Sequence, residues 1–273
     1  MPTTFDLDGL AREMKAAQDT VQQIPPLTTR LPAFDLAAGY DVAHRIHRAR
    51  LAEGATSIGR KIGFSNPNIW ATYGVSAPIW GFVYDTTVLQ LRNLRTTCSL
   101  GRFAEPKIEP EIVLHFRASP RIGATPAEVL DAIDWVAHGY EIVQSHFPGW
   151  KFRAPDTVAD SALHGALFVG PPQLLAGLGQ DPVAALKSFT LSLSCDGRHV
   201  ETGIGANVLG SPLAAIAHLV SVLAKRTDIA PLQAGEIVTT GTITAAYTVQ
   251  PGEIWRSDIQ GIALPGLEIE FVP

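Results

Sequence analysis

Cysteine, charge and basic runs are all scarce in this chain, and each shortage excludes a class of protein. Its 273 residues include only two cysteines, Cys98 and Cys195, too few for a disulfide framework or a structural zinc site. Charged residues make up 17% of the chain and the net charge is -5, so no basic surface for nucleic acid is predicted. We expect a cytoplasmic protein with reduced thiols and no nucleic-acid partner.

Targeting and membrane signals are also missing from the sequence pattern. Residues 1–10 lack the pattern of a signal peptide, in which charged residues are followed by an apolar stretch. We also expect no apolar run as long as the roughly 18 residues that a membrane-spanning helix needs. We therefore expect no membrane partner. The one basic cluster, at residues 44–50, is typical of the solvated face of a helix, and an anion site is the alternative.

The first hundred residues are predicted to be rich in helix. Capping residues and apolar spacing predict helices over residues 6–23 and 35–53, and a shorter helical segment over residues 66–73. Lys61 lies between them in a short segment bounded by glycines, which we interpret as a loop. Residues 1–100 are therefore expected to form a helix-rich N-terminal segment that carries the Lys61 loop.

A two-residue apolar period near residue 108 indicates strands in the remainder of the chain. The run Thr125-Pro126-Ala127-Glu128 has the form of a helix capping box, and the helix it starts is predicted to reach about residue 138. Further helices are predicted over residues 182–187 and 212–225, and strands over 108–116, 140–145, 189–195, 236–240, 247–249 and 267–271. Since no linker separates these elements, we predict one cooperative α+β domain with residues 101–273 as its core.

Two glutamates on the strand at residue 108 are the first candidates for chemistry. Glu109 and Glu111 are two residues apart, so a strand projects both carboxylates to the same side. Like charges that close repel each other unless a cation or hydrogen-bond donors offset them. The intervening Pro110 lacks an N–H and predicts a sheet edge or a bulge. The alternative to a metal site is an exposed strand face, where most glutamates lie.

A third glutamate strengthens the metal hypothesis. Glu141 lies in an otherwise apolar stretch, where a lone charge is costly without a partner. Three oxygen donors without cysteine suit a hard divalent ion such as magnesium, or manganese. His115 shares the period of the two earlier glutamates and is either a further ligand or, as we favour, a hydrogen-bonded structural histidine.

Seven short motifs then follow in a recognisable order. They are GRKIGFS at 59–65, GV at 74–75, PKIEPEI at 106–112, EIVQS at 141–145, DTVADS at 156–161, VLGSP at 208–212 and TGTITAA at 240–246. Together they resemble the 2-keto-4-pentenoate hydratase and 4-oxalocrotonate decarboxylase family, within the fumarylacetoacetate hydrolase superfamily. The resemblance covers roughly residues 38–272 and is specific because seven motifs keep their order.

The resemblance implies a fold, a cofactor and a substrate class. The fold would be a mixed β-roll with flanking helices, of the fumarylacetoacetate hydrolase C-terminal type, assembled into homo-oligomers. Glu109, Glu111 and Glu141 would hold magnesium, which stabilises the negative charge that develops on a small 2-oxo acid substrate. Lys61 would contact the 2-oxo or carboxylate oxygens and relay a proton, as the catalytic residue.

Further residues of these motifs are expected to contact the substrate. Ser65 lies in the Lys61 motif, and Thr242 and Thr244 lie in the last motif, which would supply backbone and hydroxyl donors. Lys151 belongs to a lysine-phenylalanine pair that resembles the decarboxylase branch. His164 replaces a small polar residue of the family, and is either a pocket residue or a core histidine.

One departure from the family bears on the reaction. Family hydratases carry an aspartate for proton transfer where this chain has Ile79, and isoleucine cannot move a proton. Loss of carbon dioxide from a 2-oxo-3-enedioate mainly needs the chelated electron sink, so we favour decarboxylation, with hydration of a 2-hydroxydienoate as the alternative. Gln144 and His146, which replace the family's acid and arginine, leave the substrate open.

Two other functions are less favoured. Carbon–carbon hydrolysis of an acylpyruvate would need a histidine–glutamate pair on a lid, and no such pair is placed by the sequence. A non-catalytic homologue could keep the fold after losing the acid at Ile79, but the retained glutamates argue against it. The sequence therefore predicts a metal-dependent lyase.

Overall fold

The structure of the protein, a computed structural model, describes residues 5–273. Within this range the chain forms helices and strands joined by turns and short 3-10 helices. The helices are α1 (Leu7–Thr20), α2 (Leu27–Arg30), α3 (Leu36–Ala52), α4 (Trp70–Tyr73), α5 (Pro126–Leu130), α6 (Ala154–Ala159), α7 (Pro182–Ser188) and α8 (Pro212–Leu223). The strands are β1 (Ser57–Gly63), β2 (Ile79–Tyr84), β3 (Val88–Gln90), β4 (Arg95–Ser99), β5 (Lys107–Phe116), β6 (Ile133–Val143), β7 (His164–Val169), β8 (Gln173–Leu174), β9 (Thr190–Cys195), β10 (Arg198–Ile204), β11 (Ile237–Thr242), β12 (Tyr247–Thr248), β13 (Ile254–Gln260) and β14 (Glu268–Val272).

The two long N-terminal helices begin where the sequence predicts. Asp6 caps α1 by accepting a hydrogen bond from the Gly9 N–H at 2.8 Å. Asp35 caps α3 in the same way, accepting from the Ala38 N–H at 2.9 Å. Each carboxylate satisfies a backbone donor that has no partner inside its helix. The prediction of a helical N-terminal segment is therefore confirmed.

This helical segment is fastened to the rest of the protein by both apolar and polar contacts. Met14 of α1 and Ile46 of α3 pack in one buried cluster with Phe147 and Ala159, which belong to the later part of the chain. Asp156 of α6 accepts hydrogen bonds from the N–H and the hydroxyl of Thr28, at 2.9 and 2.7 Å. The N-terminal helices thus support α6, which lies directly before a turn of the candidate site.

The basic cluster at residues 44–50 lies on α3 and faces acidic residues of α1. Arg45 donates to Asp8 at 2.7 Å, and Arg50 pairs with Asp19. These partly exposed ion pairs contribute little each. Because Arg45 and Arg50 are already paired with carboxylates, the cluster is better explained as the solvated face of a helix than as an anion site.

The strands form two sheets that join the early and late parts of the chain. The nine-stranded sheet has the order β2-β1-β11-β5-β6-β7-β3, with β12 paired to β5 and β8 paired to β6. The five-stranded sheet has the order β10-β9-β13-β14-β4. Because β1 pairs in parallel with β11, Lys61 lies on an interior strand, and the prediction of a loop there is wrong.

The two faces of β5 have different surroundings. Ile108, Ile112 and Phe116 are fully buried in the main hydrophobic core, which also contains side chains of the five-stranded sheet. Glu109 and Glu111 project from the opposite face, because side chains alternate along a strand. The predicted period is therefore confirmed, and it places the glutamates outside the main core.

Two local predictions are corrected by the sheet. The capping box at Thr125 is present, but α5 ends at Leu130 and β6 begins at Ile133, so the helix to residue 138 is wrong. The pairing of β6 with β5 along almost its whole length outweighs the local helix signal. Pro110 lies on an interior strand and pairs with Tyr140 of β6 without a register shift, so the predicted edge is wrong and β5 has no bulge at this residue. The bulge of this region lies in the neighbouring β11, opposite Ile112.

One segment has the hydropathy of a membrane span, contrary to the expectation from the sequence. Gly205–Leu223 is long and apolar enough by composition, with a mean hydropathy of 1.6. Half of this window is buried inside the protein, and α8 packs Leu213, Ile216 and Leu219 into the main core. Core helices of soluble proteins share this composition, so the segment is weak evidence for a membrane.

Candidate active site

The three predicted glutamates meet on one face of the nine-stranded sheet. The register of β5 and β6 places Glu109 directly opposite Glu141, and Glu111 follows two residues later on β5. One carboxylate oxygen from each lies within 4.8 Å of the others. Glu111 and Glu141 are fully buried and Glu109 is partly exposed. Like charges opposite each other destabilise a sheet, so this arrangement requires a compensating cation.

The electrostatics of the trio agree with that requirement. Burial raises the pKa of Glu109 to about 7, with Lys61 opposing the rise and Glu141 adding to it. Burial and repulsion from the other two carboxylates raise the pKa of Glu111 well above its ordinary value. In the described part of the chain, Glu111 Oε1 accepts no hydrogen bond, and Glu141 Oε2 has only an ion pair with Lys61. Buried oxygens of this kind are suited to an ion.

The donor set matches a hard divalent cation. All three candidate ligands are carboxylates, which magnesium and manganese prefer, whereas zinc favours sulfur and nitrogen. His115 stacks on Trp135 with ring centroids 4.8 Å apart, which favours its structural alternative over a ligand. Among residues 5–273, the trio is the group of acidic, histidine or cysteine side chains close enough to share an ion.

Lys61 is buried beside the carboxylates. Its Nζ lies 3.1 Å from Glu141 Oε2 and donates to the Ala162 carbonyl at 2.9 Å. Burial alone would lower the pKa of Lys61, but the three glutamates outweigh burial and raise it above its ordinary value. The side chain is therefore held as a cation. The sequence alone could not show that Lys61 faces Glu141, because β1 and β6 are separated by two strands.

The carbonyl that holds Lys61 belongs to a strained turn. Ser161, Ala162 and Leu163 all have left-handed backbone angles, with φ of 51°, 55° and 65°. Side-chain-bearing residues rarely adopt this conformation, which costs on the order of 1 kcal/mol or more per residue. Gly81 of β2 approaches this turn so closely that a Cβ there would lie 2.9 Å from the Ser161 carbonyl oxygen. Strain of this kind is typical of functional sites.

A bulge in β11 aims two donors at Glu111. The register of β11 against β5 shifts between Thr239 and Thr242, and Gly241 has a φ of +101°. The Gly241 N–H donates to Glu111 Oε2 at 2.8 Å, and the Thr239 hydroxyl donates to the same oxygen. A Cβ at Gly241 would overlap the Ser65 hydroxyl, so only glycine fits here.

His164 is held between Glu141 and Thr87. Its Nδ1 lies 2.8 Å from Glu141 Oε1, and its Nε2 lies 2.8 Å from the Thr87 hydroxyl. Burial alone would raise the pKa of Glu141, but Lys61 and the His164 hydrogen bond outweigh it and lower the pKa. A histidine–glutamate pair is thus present, but on β7 and β6 within the sheet and not on a lid.

A second buried pair supports the strained turn. His146 Nδ1 lies 2.8 Å from Asp160 Oδ1, and the His146 N–H also donates to Asp160. Gln18 of α1 donates to Asp160 and to the Ser161 hydroxyl, at 3.1 and 3.0 Å. The residue that replaces the family's arginine therefore helps to fix the turn that holds Lys61. It does so together with the N-terminal segment.

Ile79 lies close to Lys61 in an apolar surrounding. A Cβ at Gly63 would lie 3.1 Å from Ile79 Cγ1 and 3.6 Å from Lys61 Nζ. Ile79 belongs to a buried cluster with Phe64 and Leu163. No carboxylate is supplied by this cluster, so the wall beside the amine is apolar.

The other predicted substrate residues lie at different distances from the glutamates. Ser65 is buried, and its hydroxyl finds no partner within the described residues. Thr242 pairs with Glu111 across the sheet. The Thr242 hydroxyl donates to the Thr244 carbonyl, and the Thr244 hydroxyl donates to the Ala245 carbonyl. Lys151 is exposed in a separate groove, and the structure does not bring it to the glutamates.

Several groups at the site were missed by the sequence reasoning. They are the Thr239 hydroxyl, the Gly241 N–H and the Ala162 carbonyl, together with Tyr73 and Lys107, on both of which Glu109 acts electrostatically. For the Gly241 N–H there was a signal in the sequence, because a glycine within the TGTITAA motif indicates an irregular backbone. A backbone carbonyl such as that of Ala162 leaves no signal in residue types.

The fold and the site define a class of enzyme. The family model described as fumarylacetoacetate (FAA) hydrolase C-terminal matches residues 81–265, so the chain belongs to the fumarylacetoacetate hydrolase family. This confirms the resemblance and the β-roll fold. A fumarylpyruvate hydrolase from Pseudomonas aeruginosa, at 15% identity and a TM-score of 0.57, shares the fold alone.

Relatives that match nearly the whole chain are lyases. A 4-oxalocrotonate decarboxylase of Pseudomonas sp. (strain CF600) is 33% identical, over 93% of this chain and 93% of its own length. A 2-keto-4-pentenoate hydratase of Paraburkholderia xenovorans (strain LB400) is 30% identical, over 95% of this chain and 93% of its own. The solved 4-oxalocrotonate decarboxylase from Pseudomonas putida G7, complexed with magnesium and adipate, has a TM-score of 0.89 at 30% identity. It covers 99% of both chains.

Proposed function

We propose that the chain is a magnesium-dependent lyase that decarboxylates a small 2-oxo-3-enedioate, with manganese as an alternative ion. The observation that carries this function is the meeting of three carboxylates within 4.8 Å, with the buried amine of Lys61 3.1 Å from Glu141. The full-length likeness to a decarboxylase and to a magnesium complex of such an enzyme supports the proposal.

Glu109, Glu111 and Glu141 would hold the ion. When bound, a divalent cation supplies a Lewis acid that draws electron density from a chelated 2-oxo acid. Lys61 adds a fixed positive charge beside the substrate oxygens and holds a proton at Nζ. Because Gly241 fixes Glu111 and His164 fixes Glu141, little reorganisation is needed as charge develops.

The remaining wall of the site suits the carbon chain of the substrate. Ile79, Phe64 and Leu163 form one buried apolar cluster near Lys61, which offers an uncharged surface to that chain. The unpartnered Ser65 hydroxyl is proposed to donate to a substrate oxygen. Thr242 and Thr244 are proposed to border the substrate at the end of β11.

The direct test is an assay of carbon dioxide release from 2-oxohex-3-enedioate. Activity is expected with magnesium and not after treatment with EDTA. Since even outer contacts of metal ligands are worth roughly 10–100-fold, Glu111→Gln is expected to lower kcat/KM at least about 100-fold. Glu270→Gln, on an exposed position of β14, is the matched control. Full activity in EDTA would contradict the metal-dependent mechanism.

Hydration of a 2-hydroxydienoate is the second candidate, favoured by the likeness to a hydratase over 95% of this chain. Water addition requires a group that places a proton on carbon, and Ile79 cannot do so. The decarboxylation product is itself a 2-hydroxydienoate, so its fate separates the two functions. Its accumulation supports decarboxylation, and its rapid disappearance supports hydration.

We also propose that the protein is a cytoplasmic homo-oligomer. Large apolar side chains are exposed on its surface, including Ile122 at 68% and Leu174 at 65%, and partner copies would cover them. Cys98 and Cys195 are both free thiols, which agrees with a reducing compartment. Sedimentation velocity should show a species larger than 29.2 kDa. A monomer at micromolar concentration would contradict the assembly.

A further inference from the structure

Lys107 is the first residue of β5 and lies two positions before Glu109. Residues two apart share a face of the strand and are about 6.6–6.8 Å apart, roughly the length of an extended six-carbon diacid between its carboxyl carbons. β5 therefore carries a cation on the same face as Glu109, one strand repeat from the carboxylate trio, and the two groups act on each other electrostatically.

The amine of Lys107 is positioned without being neutralised. Its Nζ donates to the Tyr73 hydroxyl at 3.2 Å and lies 4.0 Å from the centroid of the Trp150 ring. Aromatic faces attract a cation electrostatically but leave its donors free. An ammonium has three donors and this one uses one of them among the described residues, where no carboxylate forms an ion pair with it.

The aromatic side chains continue from this amine towards the catalytic lysine. The Tyr73 ring lies 5.6 Å from that of Phe64, between centroids, and Phe64 follows Gly63 at the end of β1. A substrate that reaches from Lys61 to Lys107 would lie along this wall. The wall is apolar, so charged ends of the substrate would be bound only at the two amines and the metal.

Other lysines do not offer the same contact. Lys61 is already paired with Glu141 and the Ala162 carbonyl at the metal end of the site. Lys151 is exposed in a groove formed with residues 23–29, away from the glutamates. Lys107 is thus the cation that the geometry offers to the far end of a substrate.

We propose that Lys107, held by Tyr73 and Trp150, binds the substrate carboxylate farthest from the metal and selects diacids over monoacids. This inference rests on the proposed function and adds its specificity. In decarboxylation of 2-oxohex-3-enedioate, the bond between C5 and C6 breaks and its electron pair moves along the chain to the 2-oxo oxygen. C6 leaves as carbon dioxide, and one proton is taken up to give the 2-hydroxydienoate.

The position of this cation predicts a particular kinetic effect. The carboxylate at Lys107 loses its charge during the reaction, so the amine stabilises the bound substrate at least as much as the transition state. Lys107 should therefore lower KM without raising kcat. For Lys107→Met we expect KM to rise about 10-fold, as one charge-assisted contact predicts, with kcat unchanged or higher.

Binding of two unreactive acids to the magnesium-loaded protein gives the decisive test. 2-Oxoadipate has two carboxylates and 2-oxohexanoate has one, with the same chain length. Calorimetry is expected to show the diacid binding about 10-fold more tightly to the unaltered chain. Lys107→Met should bring the two affinities together, and Lys107→Arg should keep the preference. Lys187→Met, on the exposed surface of α7, is the matched control.

The possible results separate this inference from the proposed function. Equal affinities for the two acids in the unaltered chain would overturn the role of Lys107 and leave the metal chemistry intact. A preference that survives in folded Lys107→Met, or that disappears in Lys151→Met, would also overturn it. Failure of both acids to bind the magnesium-loaded protein would reject the proposed function together with this inference.

Discussion

A buried carboxylate keeps its charge only when its neighbours are arranged around it, and Glu141 shows this for a single residue. Both of its oxygens are assigned: Oε1 to His164 and Oε2 to the side that faces Lys61. The Thr87 hydroxyl holds the other nitrogen of His164. This chain of contacts fixes the orientation of one expected metal ligand, and it makes His164 a positioning residue.

Replacement of His164 tests that role. In His164→Phe an aromatic ring is kept but the hydrogen bond to Glu141 is lost, so the affinity for magnesium should fall roughly 10–100-fold. His164→Gln, which keeps a donor, should recover part of it. Calorimetric titration with magnesium measures the effect without any substrate.

The control for this experiment is His199→Phe, because His199 lies on the exposed face of β10. It should bind magnesium as the unaltered chain does. An unchanged magnesium affinity in folded His164→Phe would show that Glu141 is oriented without help from His164.

Among the structural elements, the bulge of β11 has the clearest task. An ordinary strand would direct successive N–H groups to its neighbours in the sheet, whereas the bulge turns the Gly241 N–H onto Glu111. The strained turn at residues 161–163 orients the Ala162 carbonyl, which accepts a hydrogen bond from Lys61. Backbone groups in irregular segments thus complete a site whose carboxylates lie on regular strands.

Two glycines with similar backbone angles allow the cost of backbone strain to be measured separately from the cost of steric overlap. Gly235 has a φ of +88° and open space around it, whereas Gly241 has a φ of +101° and lies against Ser65. Gly235→Ala should lower the free energy of unfolding by about 1 kcal/mol, the cost of the left-handed angle. Gly241→Ala should cost more than about 2 kcal/mol because overlap is added.

Urea denaturation of both variants measures the difference. Gly241→Ala should also weaken magnesium binding, because the displaced backbone no longer donates to Glu111. Equal losses of stability in the two variants would mean that the Ser65 contact adds nothing at the bulge.

For the molecule as a whole, acid is expected to weaken the attachment of α3 to the large sheet. His47 of α3 stacks on Phe82 of β2 with ring centroids 3.5 Å apart, and its Nδ1 lies 3.1 Å from the Tyr84 hydroxyl. Burial, with smaller contributions from Arg60 and His44, lowers the pKa of His47 to about 4. Tyr84, Arg60 and His44 are the ionisable groups that act on this ring.

The sign of the pH effect follows from that shift. Between pH 6.5 and 4 the unfolded chain takes up a proton that folded His47 does not, so the free energy of unfolding falls as pH falls. At pH 5 this proton uptake lowers the free energy of unfolding by about 2 kcal/mol relative to neutral pH. His47→Gln should flatten the fall of the thermal midpoint over this range, and His199→Gln should not. Parallel curves for His47→Gln and the unaltered chain would rule out this contribution.

Much of the site could be predicted because it depends on the spacing of residues that are close together in the sequence. Glu109 and Glu111 had to share a face once residues 107–116 formed a strand, whatever the rest of the fold. Glu141 was signalled by its apolar surroundings, and the order of the motifs indicated the family and Lys61. The caps at Asp6 and Asp35 needed only residues a few positions apart.

What the sequence by itself determined is therefore the shared face of Glu109 and Glu111, the family and most element starts, since these depend on residues near each other in the chain. Only the tertiary structure decided that Lys61 lies on a strand, that β6 replaces a predicted helix, and that His164 serves Glu141. Each of these depends on pairing between distant segments, whose energies outweigh local preference. Such pairing brings together groups, including backbone carbonyls and N–H groups, that residue types alone do not reveal.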